Sequence, residues 1–324
     1  MERKTTEPKI SIIIPVYNVE HYLRECLDSC TNQTLEDIEI ICVDDASPDN
    51  SIKILEEYQA KDSRIKIFQH EKNKNLGAAR NSGLQNAAGE YVWFVDSDDY
   101  IDTKACQILY DAIKEFNVDM LCFSALKFVD KNENRRFIYD KHYHQGVQIN
   151  KIYHPKTNWE EIRFSHLNVT AWAYITKTSV IQKFRFREGV WHEDVDFTPI
   201  LLASVNSFCY IPYTAYLQRT NCKSITQTPM SQKRLENQIA VAESLGNFVQ
   251  KNKIRKRHFL YQFLIGEINY IHVVCNENTD IRPGNFSMLL NLQKQYHYTI
   301  CQKYSITRFF RKIFKRLFKA NEEI

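Results

Sequence analysis

Three carboxylates within four residues, Asp96, Asp98 and Asp99, surround Ser97 and follow directly on the apolar run Tyr91-Val92-Trp93-Phe94-Val95. Crowded carboxylates repel one another and lose hydration, so a buried strand that ends in them is most simply neutralised by a cation. A hard divalent ion suits such oxygen ligands, and Mg²⁺ or Mn²⁺ is commonly held by one or two carboxylates together with substrate phosphates. The same pattern also describes an acidic strand-to-helix turn in which Asp99 or Asp102 caps the next helix. Asp-x-Asp alone does not separate the two.

Such a cluster works only if neighbouring elements hold it at the rim of a cleft. Short β-branched runs alternate here with amphipathic helical patterns, the signature of a largely parallel sheet covered by helices. Ile10 to Ile14 reads as a strand ended by Pro15, with Asn18 placed to cap a helix whose apolar positions Tyr22, Leu23, Cys26, Leu27 and Cys30 keep the helical period. Ile38 to Val43 is a second strand, closing in the turn Asp44-Asp45-Ala46-Ser47-Pro48-Asp49 before a helix through Ile52, Leu55 and Tyr58. Ile65 to Phe68, Gly77 to Ala88 and Glu90 to Val95 give a third strand, a helix and a fourth strand. A helix near Cys106 to Phe116 and a strand near Val118 to Phe123 follow. Residues 130 to 165 are polar, aromatic and irregular, as in a substrate-facing insertion or a small antiparallel region. Ligands gather at the carboxyl ends of the strands in such sheets. No GxGxxG follows any strand, which disfavours a dinucleotide.

Four segments therefore stand in order: Ile12-Ile13-Ile14-Pro15-Val16-Tyr17-Asn18, Val43-Asp44-Asp45-Ala46-Ser47, Gly77-Ala78-Ala79-Arg80-Asn81-Ser82-Gly83, and Asp96-Ser97-Asp98-Asp99. Together they resemble the family 2 glycosyltransferases with the GT-A fold, a combination far more specific than any member alone. The resemblance implies an α/β protein with a Rossmann-like, mostly parallel central sheet flanked by helices, and from about Ser231 the pattern turns mainly helical and basic, which adds a mainly helical C-terminal extension. The resemblance implies transfer of a sugar from a nucleotide diphosphate donor, here a UDP-sugar, to an acceptor hydroxyl with inversion, assisted by Mn²⁺ or Mg²⁺.

The resemblance also distributes roles. Pro15, Tyr17 and Asn18 would turn toward the donor, with Tyr17 offering a face for the base, and Asp45, then Asp44, would accept the uracil N3 hydrogen. Gly77 and Arg80 would approach the donor, Arg80 meeting a phosphate or a nearby aspartate. Asp96 and Ser97 fall to the ribose side, and Asp98, with Asp96 and Asp99, to the metal. Val190-Trp191-His192-Glu193-Asp194 resembles the family's Glu-Asp motif, so Asp194 is the expected general base, with Glu193 as the alternate and Trp191 as an apolar wall. Trp172 matches the family's Trp-centred strand and would line the acceptor site, although Tyr174 stands where many members carry lysine. Tyr216-Leu217-Gln218-Arg219 followed by Ser224-Ile225 resembles a segment that would close Arg219, Lys223 and Ser224 over the diphosphate.

The expected division is a tail over 1–8, a glycosyltransferase domain over 9–228 (donor half 9–102, acceptor half 103–228) and a helical region over 229–324. The 324 residues suffice for this, and 44% hydrophobic content fits a packed protein. A net charge of +4 gives no case for nucleic acid. Nine cysteines without a CxxC pair read as small core residues in a reducing compartment. The N-terminus lacks a signal peptide's apolar stretch, and no segment approaches the roughly 20 apolar residues that span a bilayer. In 305–319, Ile306, Phe309, Phe310, Ile313, Phe314, Leu317 and Phe318 share one helical face opposite Arg308, Arg311, Lys312, Lys315, Arg316 and Lys319. That pattern suits an anionic membrane surface and a glycan or lipid-linked acceptor. The expected setting is the inner face of the cytoplasmic membrane, in polysaccharide or lipopolysaccharide assembly. The rivals are a non-catalytic nucleotide-sugar binder and a sugar nucleotidyltransferase, whose Gly-rich basic loop is missing after the first strand.

Overall fold

The computed structural model describes residues 7–131, 134–138, 147–162, 168–220 and 230–277. Two β-branched runs, β1 (Ile10–Val16) and β2 (Ile38–Asp44), are buried at every position, as parallel strands covered on both faces must be. β3 (Ile65–Gln69) lies outside β2 and β4 (Tyr91–Phe94) on the other side of β1, all parallel, in the order β3-β2-β1-β4. The order switches direction at β1 and β4, where open α/β sheets hold their ligands. Inside β2, Glu39 is tolerated because its carboxylate accepts from Ser11 at 2.5 Å and the Ala88 N–H at 2.7 Å, and pairs with Lys66 at 2.6 Å.

Pro15 ends the ladder to β4, whose last pair is Ile13 with Phe94, while β1 runs on beside β2 to Val16 opposite Asp44. The Ile13 carbonyl bonds Val95, so the odd-numbered positions of β1 direct their polar groups toward β4. Pro15 offers β4 no N–H, and the pairing with that strand stops at Phe94. Asn18 does not cap α1 (Glu20–Thr31) but turns through a φ of +54°. The free N–H groups at the helix start are met from the turn after β2 instead, Val19 bonding Ser51 at 3.3 Å and Glu20 bonding Asp49 at 2.9 Å.

α2 (Ser51–Gln59), α3 (Leu76–Asn86) and α4 (Ala105–Phe116) complete the first half. α3 lies so close to β1 that a Cβ on Gly83 would stand 2.3 Å from Cγ2 of Ile13. Cys26, Cys30, Cys42, Cys106 and Cys122 are buried and free, packing as small apolar residues.

The second half continues the same sheet. β8 (Tyr174–Lys177) runs antiparallel to β4 and to β6 (Met120–Lys131), β9 (Phe208–Arg219) parallel to β6, and β5 (Tyr100–Ile101) antiparallel to β9, with β7 (Asn134–Ile138) on β6. The sheet is thus mixed but mostly parallel, with β1 to β4, β6 and β9 running one way. β6 extends well past the expected end at Phe123, because β9 pairs with it as far as Phe128 opposite Arg219. Trp172 falls not in a strand but in the 3₁₀ turn Ala171–Ala173 ahead of β8.

α5 (Thr178–Ile181) and α6 (Asp194–Ser204) follow, and then the expected helical region, α7 (Gln232–Lys251) and α8 (Phe259–Glu277), packs on α6. No helix among the described residues is long and apolar enough to cross a membrane. The basic segment 305–319, Lys223 and Ser224 lie outside the described residues.

Candidate active site

Arg80, in the second turn of α3, is 2% exposed and stands between Phe94 and Phe186, its guanidinium carbon 5.9 and 5.4 Å from their ring centroids. A buried cation requires paired anions, and Arg80 has two. It donates to Asp96 at 2.7 Å and to Glu193. These carboxylates come from the turn after β4 and from the residue before α6, so one side chain ties the Asp96–Asp99 turn to the Glu193-Asp194 pair. Burial works against the guanidinium charge, but Asp96 and Glu193 outweigh it and hold Arg80 more firmly protonated than usual.

Asp194 opens α6, at an end that favours negative charge. Desolvation first and the Glu193 charge second nevertheless push its carboxyl up to about 7. Burial raises Glu193 as well, although Arg80 opposes it. A carboxylate poised near neutrality can accept a proton at working pH. The approach to the pair is strained, because His192 takes a φ of +60°, which non-glycine residues adopt only when their surroundings impose it. Burial and then Arg234 hold the His192 pKa below its ordinary value. The Lys233 ammonium lies over the Trp191 ring at 5.5 Å. Gly77 serves this region: a Cβ there would stand 2.3 Å from the Arg187 carbonyl, so glycine lets the loop leading to Glu193 close on α3.

Within the acidic turn the three aspartates differ. Asp99 is buried and spends both oxygens on β9, accepting from the Tyr216 hydroxyl at 2.7 Å and the Arg219 N–H at 2.6 Å. Asp96 is 27% exposed and keeps one oxygen beyond the Arg80 bond. Asp98 has no side-chain partner in hydrogen bond or ion pair among the described residues, and burial and then the Asp96 charge push it up to about 6, against its own backbone N–H and the charge of Arg219. Ser97 is buried between them. Arg219 does not stand open: its guanidinium bonds the Asp98 carbonyl at 2.9 Å and pairs with Glu25 and Asp130. Trp172 is also enclosed, stacked on Tyr216 with centroids 4.2 Å apart.

At the other strand ends, Tyr17 is 47% exposed just beyond β1. The Asp45 N–H bonds the Val16 carbonyl at 2.9 Å, and the Asn18 N–H bonds Ser47 at 3.2 Å, so the two turns interlock. Asp44 accepts from the Ser47 N–H at 3.3 Å and Gln69 at 3.2 Å. Asp45 accepts from the Lys74 N–H at 2.9 Å and meets His70 at 2.6 Å.

Residues 11–182, more than half of the chain, match the family model described as glycosyl transferase family 2. The chain belongs to glycosyl transferase family 2. It is 37% identical over 193 residues to the glycosyltransferase GlyA of Streptococcus pneumoniae, an overlap of 58% of this chain but only 27% of GlyA. It is 34% identical over 252 residues to the putative glycosyltransferase EpsH of Bacillus subtilis, covering 76% of this chain and 70% of that protein. In fold it is similar to S. aureus TarS crystallised with UDP-GlcNAc, at a TM-score of 0.66 and 21% identity over 89% of this chain and 80% of the other.

In this family member the tertiary structure brings Arg80, Asp96, Glu193 and Asp194 together, and places Tyr17, Asn18, Asp44 and Asp45 at adjoining strand ends. Arg219 and Trp172 stand behind the acidic turn rather than beside open space. Sequence reasoning missed Tyr216, Glu25 and His70. Tyr216 was visible as the other end of the Tyr-x-x-Arg segment, whereas Glu25 and His70 carry no local signal.

Proposed function

We propose that the protein is a metal-assisted inverting glycosyltransferase that moves a sugar from a UDP-sugar to a glycan or lipid-linked acceptor in bacterial surface polysaccharide or lipopolysaccharide assembly. The observation that carries this reading is the buried Arg80 bridge, which joins a donor-side carboxylate, Asp96, to the residue beside the expected base. Asp194 takes the acceptor hydroxyl proton as the oxygen attacks the anomeric carbon, and the bond to the nucleoside diphosphate breaks on the opposite face. Tyr17 stacks on the base and Asp45 accepts its ring N–H. Family membership and the fold shared with TarS, crystallised with UDP-GlcNAc, support such a donor.

Mn²⁺ or Mg²⁺ fits the unpartnered Asp98 together with the spare oxygen of Asp96. No group of three or more His, Cys, Asp or Glu among the described residues forms a complete metal cage. Two carboxylates completed by donor phosphates are the usual holding for these ions. When bound, the ion would act as a Lewis acid that stabilises charge on the leaving diphosphate. Asp99, both of whose oxygens are engaged, holds the turn in place.

Incubation with Mn²⁺ and a panel of nucleotide sugars, read by mass spectrometry, should give transfer or slow hydrolysis of a UDP-sugar that EDTA stops. Neither binding nor turnover of any donor by folded protein would reject the reading. Residues 305–319 are proposed to hold the enzyme on an anionic membrane surface, peripheral to the inner face of the cytoplasmic membrane. Flotation with anionic vesicles should then be lost when residues after Ser305 are removed, and unchanged flotation would refute the anchor.

A further inference from the structure

His70 has no part in the scheme above, yet its imidazole is 8% exposed and bonded at both nitrogens. It follows β3, and its backbone N–H bonds the Asp44 carbonyl at 2.9 Å. Nδ1 lies 2.6 Å from Oδ1 of Asp45, and Nε2 lies 2.8 Å from the hydroxyl of Ser82 on α3. A neutral imidazole has one N–H and one acceptor nitrogen. With Asp45 ionised, Nδ1–H donates to the carboxylate, and the Ser82 hydroxyl donates to Nε2. The Lys74 N–H adds bonds of 2.9 Å to Oδ1 and 3.1 Å to Oδ2. Oδ1 therefore has two donors, and Oδ2 keeps a lone pair for a third.

We infer that Ser82 and His70 form a positioning relay that holds Asp45 in place as a hydrogen-bond acceptor, so that the site selects a base with a ring N–H over one whose ring nitrogen is a bare acceptor: uracil over cytosine. The inference rests on the proposed donor site and names how that site reads its base. Uracil N3 carries a hydrogen and can donate to Oδ2. Cytosine N3 presents a lone pair, and sites built around a substrate N–H reject analogues lacking it by large factors. Asp45 is suited to the task by its place beside the exposed Tyr17. The same three residue types serve as a nucleophilic triad in hydrolases, where serine is the end that meets substrate. Here Ser82 sits mid-helix in α3, and the carboxylate occupies the strand terminus.

The test is calorimetric titration of UDP and CDP, each with Mn²⁺, into the full chain and its variants, alongside donor KM and kcat. Wild type should bind UDP at least about 100-fold more tightly than CDP. His70→Ala should raise the UDP Kd and the donor KM about tenfold, leave kcat within about twofold and narrow the UDP/CDP ratio about tenfold. His70→Asn, whose amide N–H can replace Nδ1–H, should restore most of the ratio, and Ser82→Ala should narrow it by about threefold. A folded His70→Ala protein with the wild-type ratio overturns the relay. Should that variant not fold, an unchanged ratio in Ser82→Ala overturns it instead. Asp45→Asn with undiminished UDP preference would remove Asp45 as the reader. Wild type binding neither nucleotide overturns the donor site itself, a separate failure.

Discussion

The carboxylates at the two ends of the site are held in opposite ways. Asp44 and Asp45 are satisfied from their own stretch of chain, by the N–H groups of Ser47 and Lys74 and the side chains of Gln69 and His70. Glu193 and Asp194 have no such neighbourhood. Glu193 depends on a guanidinium from the donor half, and Asp194 is left desolvated with its pKa near 7. A binding group gains from preformed donors that keep it ionised and still. A general base must instead lie close to losing its charge, and burial with only a distant cation supplies that.

This contrast is most severely tested by paired substitutions. Asp194→Asn should lower kcat by about 10²–10⁴ while UDP binding stays within about twofold, and retained turnover would end its assignment as base. A base is active deprotonated, so with Asp194 as the proposed base kcat/KM should fall as pH drops through about 7 and level off at higher pH. That acidic limb should vanish in the asparagine variant, and a profile flat from pH 5 to 9 in wild type would exclude it.

Arg80→Met should cost about 3–5 kcal/mol in urea unfolding, since it leaves the buried Glu193 carboxylate without its cation and removes the partner of the part-exposed Asp96. In whatever activity remains, the acidic limb should move to higher pH, because Arg80 favours the ionised form of Asp194. Stability matching wild type would show that the Arg80 bridge adds nothing to the β4–β8 pairing that already joins the two halves. A smaller effect is expected at Tyr216→Phe. It removes the donor to Asp99 and the acceptor for the Asp96 N–H, and should lower stability by about 1–2 kcal/mol with donor KM raised more than acceptor KM. Equal changes in both KM values would argue that the acidic turn does not belong to the donor side.

The first four strands and their helices were legible because their residues are buried on both faces, and continuous β-branched runs leave little choice of structure. The ends of elements were less so. Pro15 was read as a stop because a proline cannot donate, which holds toward β4, but on the other side of β1 the pairing with β2 goes on to Asp44. Asn18 has a capping side chain, yet its cap role passed to Asp49 and Ser51 across the next turn. β6 was cut short because the strand that prolongs it arrives much later in the chain.

Residue types and their order determined the family, the sheet that carries the motifs, and the set of acids from which a metal site and a base must be drawn. These are local properties, written in periodicity and in chemistry at strand ends. Only the tertiary structure decided what each acid does. It set Asp99 on Tyr216, left Asp98 unpartnered, and placed Arg80 between Asp96 and Glu193. An aspartate's role follows from its desolvation and its partners, and those come from segments that only folding brings within bonding distance.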